Sequence, residues 1–164
     1  MECSAFFEQV AKHFRFLFDE YGFAVVYQRT EWGFSNCTML LQSQYCCIRA
    51  ARDRGDALLE VGPLSAPGTS LIGPSPWFGL QTVIDYLTGS EVPSVMRVTA
   101  DLPFDDSRTD WELAQMACAM HPYCDQIFEL FREESFRKRQ AELEEFRWRG
   151  MESLLKKMKN SAHM

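Results

Sequence analysis

Between Phe23 and Pro63 the sequence is interrupted three times, at Glu31-Trp32-Gly33, Ser43-Gln44 and Asp53-Arg54-Gly55-Asp56. These breaks separate four short apolar runs, which is the pattern of an antiparallel meander in which each strand returns beside the one before it. The second run, Cys37 to Gln42, and the third, Tyr45 to Arg52, do not alternate cleanly between apolar and polar residues. A sheet covered on one face by a helix, and on part of the other by later segments, blurs the two-residue period in this way. Asp53-Arg54-Gly55-Asp56 carries the residues that a tight hairpin into Ala57 to Val61 requires, and Pro63, with no N–H, ends the pairing.

The flanking segments read as helices. Phe6, Val10, Phe14, Leu17, Phe18 and Tyr21 recur at steps of three and four, predicting one amphipathic helix over Cys3 to Tyr21 that stops at Gly22. Gly62 to Pro76 is dense in Pro and Gly and reads as a long loop. Trp77, Leu80, Ile84 and Leu87 then share a helical face that Gly89 closes. Val95-Met96-Arg97-Val98 fits either a short strand or an ordered loop. Thr109 with Glu112 matches a capping box and starts a third helix, which Pro122 breaks or kinks at His121.

From Tyr123 there is no Pro or Gly before Gly150, and a sparse apolar stripe runs among charges. Glu133 with Arg137, Glu134 with Lys138, Glu145 with Arg149 and Glu152 with Lys156 are acid-to-base pairs at i, i+4. They predict a long, largely exposed helix whose narrow stripe suits packing along the domain or pairing with a second copy through residues 123 to 158. The fold class expected is therefore α+β: an N-terminal helix on a four-stranded, mainly antiparallel sheet, followed by a helical C-terminal half with a long charged helix. Residues 1–131 form the globular domain and 132–164 the charged helical extension.

A formal net charge of -6 excludes general nucleic-acid binding, which needs a basic face. No apolar run is long enough to span a bilayer, so no membrane partner is expected. The first residues, Met1-Glu2-Cys3-Ser4, carry no secretory signal pattern, which leads to a cytoplasmic setting and to six reduced cysteines.

No catalytic or nucleotide-binding signature is present, and no cofactor is implied. Cys118, His121 and Cys124 have a spacing that could place three zinc ligands, but structural zinc takes four in recognisable pairs, so no metal is expected. Cys46 and Cys47 are adjacent on a strand and point to opposite faces, one inward and one toward a second layer. Asp101, Asp105, Asp106, Asp110 and Glu112 form an acidic cluster that fits either capping of the following helix or docking of a basic protein. Trp32, Trp77 and Phe78, at a turn and at the exit of the Pro/Gly loop, are candidate partner anchors. Arg49, Trp32 and Trp77 are candidate walls of a small-molecule pocket between that loop and the sheet.

The order of features, a helix ending in Tyr21-Gly22-Phe23, a meander turned at Asp53-Arg54-Gly55 and then Trp77-Phe78-Gly79-Leu80, resembles small uncharacterised bacterial proteins of the toxin-immunity type over residues 6 to 88. That resemblance implies a non-enzymatic protein-binding module, an inhibitor or adaptor, and assigns no functional residue. With the acidic, aromatic surface it leads to the expectation of a basic protein partner. A small-molecule-binding domain or unrecognised enzyme, and a self-associating structural protein, are the alternatives.

Overall fold

A computed structural model describes residues 1–31, 36–68, 73–94 and 105–162. Trp32, Asp101 and the Val95-Met96-Arg97-Val98 segment lie outside the described residues.

The chain begins with α1 (Cys3–His13) and α2 (Arg15–Tyr21), where the periodicity predicts a single helix. The interruption is at Phe14, whose backbone leaves the helical region at φ -101° and ψ 25°. Its ring is fully buried, so the apolar face continues across the break. Gly22 takes the left-handed conformation, φ 70°, that the stop requires. The Phe23 N–H then closes on the Leu17 carbonyl at 3.0 Å, and the chain enters the sheet.

Four antiparallel strands follow in chain order: β1 (Ala24–Glu31), β2 (Asn36–Gln42), β3 (Cys47–Asp53) and β4 (Asp56–Gly62). Arg54 and Gly55 both adopt positive φ, 52° and 96°, which matches the right-handed twist of the strands they join. The sheet has five strands rather than four. Phe78 and Gly79, expected within a helix, form the short strand β5 against Glu60 and Val61. The helix therefore begins later, as α3 (Leu80–Leu87).

The C-terminal half is helical: α4 (Asp106–Met120), a 3₁₀ turn at His121–Tyr123 that carries Pro122, α5 (Cys124–Phe131) and α6 (Glu133–Ala162). The cap of α4 differs from the expected Thr109 box. Asp105 is the N-cap and accepts the Ser107 N–H at 2.9 Å, while the Thr109 hydroxyl donates to the Gly55 carbonyl. Arg132, with ψ 139°, separates α5 from α6, so the long helix starts at Glu133.

One face of the sheet packs on these helices. Met39, Leu41, Ile48, Ala50, Leu59 and Val61 meet Phe6, Val10, Leu113, Ile127 and Phe131 in one core. The first half of α6 joins it through Phe136 and Leu143, so the helix is braced on the body before it becomes exposed beyond Gly150. Cys3 and Cys37, expected to be free thiols, are joined by a disulfide across a Cα–Cα distance of 5.5 Å. The start of α1 lies over β2, a neighbourhood that a separation of 34 residues does not reveal. No helix among the described residues is long and apolar enough to cross a membrane.

Candidate functional site

The other face of the sheet is only partly covered. Antiparallel register sets Tyr27 opposite Leu40, Leu40 opposite Arg49 and Arg49 opposite Glu60, so these four side chains form one row on this outer face. Cys47, one register step along, is buried beneath Ala66 and Trp77 from the Pro/Gly loop. Cys46 belongs to the inner core, so the adjacent cysteines serve different layers. The indole can lie this close because residue 62 is glycine. A Cβ there would come within 2.7 Å of the Ala66 Cβ and 2.9 Å of the Trp77 Cε3.

Between the loop and the row of side chains is a cleft of about 500 Å³, walled by Tyr27, Leu40, Arg49, Pro67, Pro76 and Trp77. Arg49 bonds the Glu60 carboxylate through Nε and Nη2, both at 2.6 Å, and its guanidinium lies 4.6 Å from the centre of the Trp77 ring. The carboxylate and the indole together fix the plane of the guanidinium. Nη1 takes no part in the bond to Glu60.

The wall that carries Trp77 is held from behind by α6. Arg147 donates from Nη1 to the Trp77 carbonyl at 2.8 Å and from Nη2 to the Ser75 carbonyl at 3.1 Å, and lies 4.1 Å over the Phe78 ring. Burial lowers its pKa from the ordinary arginine value. At the other end of the loop, Glu133 accepts the Ser65 N–H at 2.6 Å. Glu133 thus serves the loop rather than the i, i+4 pair with Arg137 that its spacing predicts. Of the anticipated i, i+4 pairs, Glu134 with Lys138 and Glu145 with Arg149 are formed, both at 3.1 Å.

The described carboxylates of the acidic cluster, Asp105, Asp106, Asp110 and Glu112, are occupied within the fold. Asp105 caps α4, and its bond to Ser107 lowers its pKa. Asp106 is 2.6 Å from the Met1 amine, and Asp110 is 2.7 Å from His13 Nε2 and 3.6 Å from Lys12. The hydrogen bond from His13, followed by smaller charge effects of His13 and Lys12, lowers the Asp110 pKa. Glu112 is buried, accepting from Arg108 Nε at 3.0 Å and from the Ala57 N–H at 2.8 Å, and Arg108 also reaches Asp56 at 2.8 Å. Of this cluster, then, Glu112 belongs to an interior network.

Phe78, expected beside Trp77 as a surface anchor, is fully buried among Phe131 and Phe136, because successive strand residues point to opposite faces. Cys118 is exposed, the Cys124 thiol is buried against the Met120 carbonyl, and His121 stacks on Phe16 at 4.2 Å. Among the described residues no three His, Cys, Asp or Glu side chains converge as metal ligands. Burial pushes the Cys47 thiol up to about 11 and the Cys124 thiol up to about 12, and raises Cys46 further. None of the three is a thiolate at neutral pH.

Arg49 and Trp77 are thus brought together at one cleft. Tyr27, Glu60, Gly62, Glu133 and Arg147 complete it, and none of these has a motif that marks it in sequence. No protein-family model, curated protein or solved structure matches the chain.

Proposed function

We propose that the chain is a non-enzymatic binding protein that holds a small ligand in the Arg49–Trp77 cleft. The observation that carries this reading is the cleft itself, whose volume falls in the range of small-molecule sites and whose apolar walls converge on one oriented guanidinium. A flat apolar body would lie against Trp77, Tyr27 and Leu40, with a carboxylate or carbonyl oxygen at Nη1 of Arg49. Thr38 and Ser75 add hydroxyls at the rim. A thermal-shift screen of metabolites tests it. Ligands that raise the melting midpoint should lose that effect in Arg49→Met and Tyr27→Ala; a library without a hit, or hits indifferent to both substitutions, would sink the reading.

A second reading, a protein partner in the manner of an immunity-like inhibitor or adaptor, draws support from Tyr27 and Leu58, large side chains exposed on the same face. Because the carboxylates of Asp106, Asp110 and Glu112 are already engaged, this reading places the partner on the aromatic outer face rather than the acidic cluster. Recovery of one stoichiometric host protein, lost in Tyr27→Ala and Leu58→Ser, would favour it. Four free cysteines support a cytosolic setting, and the Cys3–Cys37 disulfide supports an oxidising one. Thiol counting on protein quenched directly from its host distinguishes the two.

A further inference from the structure

From Trp148 onward, α6 carries a second surface that the cleft does not use. Trp148, Met151, Leu155 and Met158 are 59%, 50%, 46% and 61% exposed, and their spacing of three, four and three places them on one face of the helix. Between residues 147 and 162 there are five basic residues and one acid, Glu152. At 100° per residue, Lys156 and Lys159 flank one side of the apolar face with Glu152 between them, whose carboxylate accepts the Trp148 Nε1–H at 3.0 Å, and Lys157 lies on the body-facing side with Gly150. All three lysines are exposed. We infer that this end of α6 is a docking face for an anionic lipid surface, lying in the headgroup plane with Trp148, Met151, Leu155 and Met158 toward the acyl chains.

Charge and shape select this occupant. A helix with an apolar face that includes Trp, and lysines at its margins, suits the boundary between headgroups and hydrocarbon, where long basic side chains reach outward to phosphate. A groove that wrapped the helix is obstructed on its inner side: Gly150 abuts Pro93, and the buried Asp85 holds that segment by accepting the Ser94 N–H at 2.6 Å. A second copy would set lysines against lysines along a stripe shorter than a stable coiled coil requires. The expectation of no membrane partner rests on the lack of a spanning run, and lying on a surface makes a different demand.

Co-sedimentation of the full chain with phosphatidylcholine vesicles, with and without phosphatidylserine, tests the inference. Binding should be about tenfold stronger with phosphatidylserine and should fall as salt is raised. Met151→Ser/Leu155→Ser/Met158→Ser should abolish it, and Lys156→Ser/Lys159→Ser should weaken it about tenfold, to the level on neutral vesicles. These positions are exposed, so both variants should keep the wild-type circular dichroism and melting midpoint. Absence of binding to anionic vesicles, equal binding to neutral ones, or binding unchanged in both variants overturns the inference. So does light scattering that shows a dimer dissolved by the apolar variant, which assigns the face to a second copy.

Discussion

Arg147 donates a hydrogen bond to the backbone carbonyl of Trp77 at 2.8 Å, across 70 residues of sequence. A side chain of the last helix thereby sets the position of the residue that walls the cleft. Arg147→Met keeps much of the stem but removes the donors to both Trp77 and Ser75, and is expected to cost about 1–3 kcal/mol in urea unfolding. Any ligand of the cleft should bind more weakly to it. Arg147→Lys, which keeps the charge and loses the fork, should restore only part of either effect.

Gly62→Ala asks whether the seat of the indole is as close as the geometry states. The added methyl meets Ala66 and Trp77 at distances that real side chains do not occupy, so the loop must shift, at about 1–3 kcal/mol. Tryptophan emission should move to longer wavelength. Ala66→Gly in the same background relieves the shorter contact and should recover part of the loss; no recovery would place the strain on the indole alone.

Arg108 and Glu112 form a buried ion pair that Asp56 joins from the surface. Glu112→Ala leaves the buried Arg108 and the Ala57 N–H without this partner and should destabilise by about 3–5 kcal/mol. Arg108→Met combined with Glu112→Leu should cost less than the sum of the single changes, as a double-mutant cycle would record. Additivity would mean the two side chains do not act as a pair.

Thiol chemistry gives a direct count. A disulfide-exchange reagent should titrate Cys118 rapidly in the native protein, four thiols after unfolding and all six after reduction. Six without reduction would remove the Cys3–Cys37 bond. The buried thiols also predict an alkaline limit. Cys47 ionises near 9.0 when unfolded and at about 11 when folded, so its contribution to stability is full below pH 9 and is lost as pH rises toward 11. Cys47→Ala should lessen the loss of stability across that window without abolishing it, because Cys46 and Cys124 are raised by burial as well.

At the acid end, Asp110 has the opposite sign. Its folded pKa lies below the ordinary 3.8, so its contribution is present above that value and is lost as pH falls through the folded one. His13→Ala removes the principal cause, and its stability should depend less steeply on pH in the acid range. An unchanged acid limb would separate Asp110 from His13.

Features set by local stereochemistry were legible in the sequence. Gly22 and the Arg54-Gly55 turn lie where the chain needs positive φ, and the blurred alternation of Cys37 to Gln42 and Tyr45 to Arg52 anticipated a sheet covered on one face and partly on the other. Arg49 and Trp77 were also identifiable, as a charge within an apolar strand and an aromatic at the end of a loop. Their setting was not. Arg147 and Glu133 act by bonding distant backbone groups, which leaves no spacing to find, and Glu133 even completes a plausible pair with Arg137 that the fold does not use. Phe78 turned inward because two residues of strand interposed before α3, and β5 is too short to show a period.

Glu133 and Arg147 are fourteen positions apart on one uninterrupted helix, roughly 21 Å at 1.5 Å per residue, and each grips one end of the Pro/Gly loop. The helix therefore works as a ruler laid behind the loop that walls the cleft. Ser65 and Ser75 cannot draw apart or together without bending a helix or releasing a grip, so the gauge of what fits against Trp77 is set by helix length rather than by the loop's own sequence.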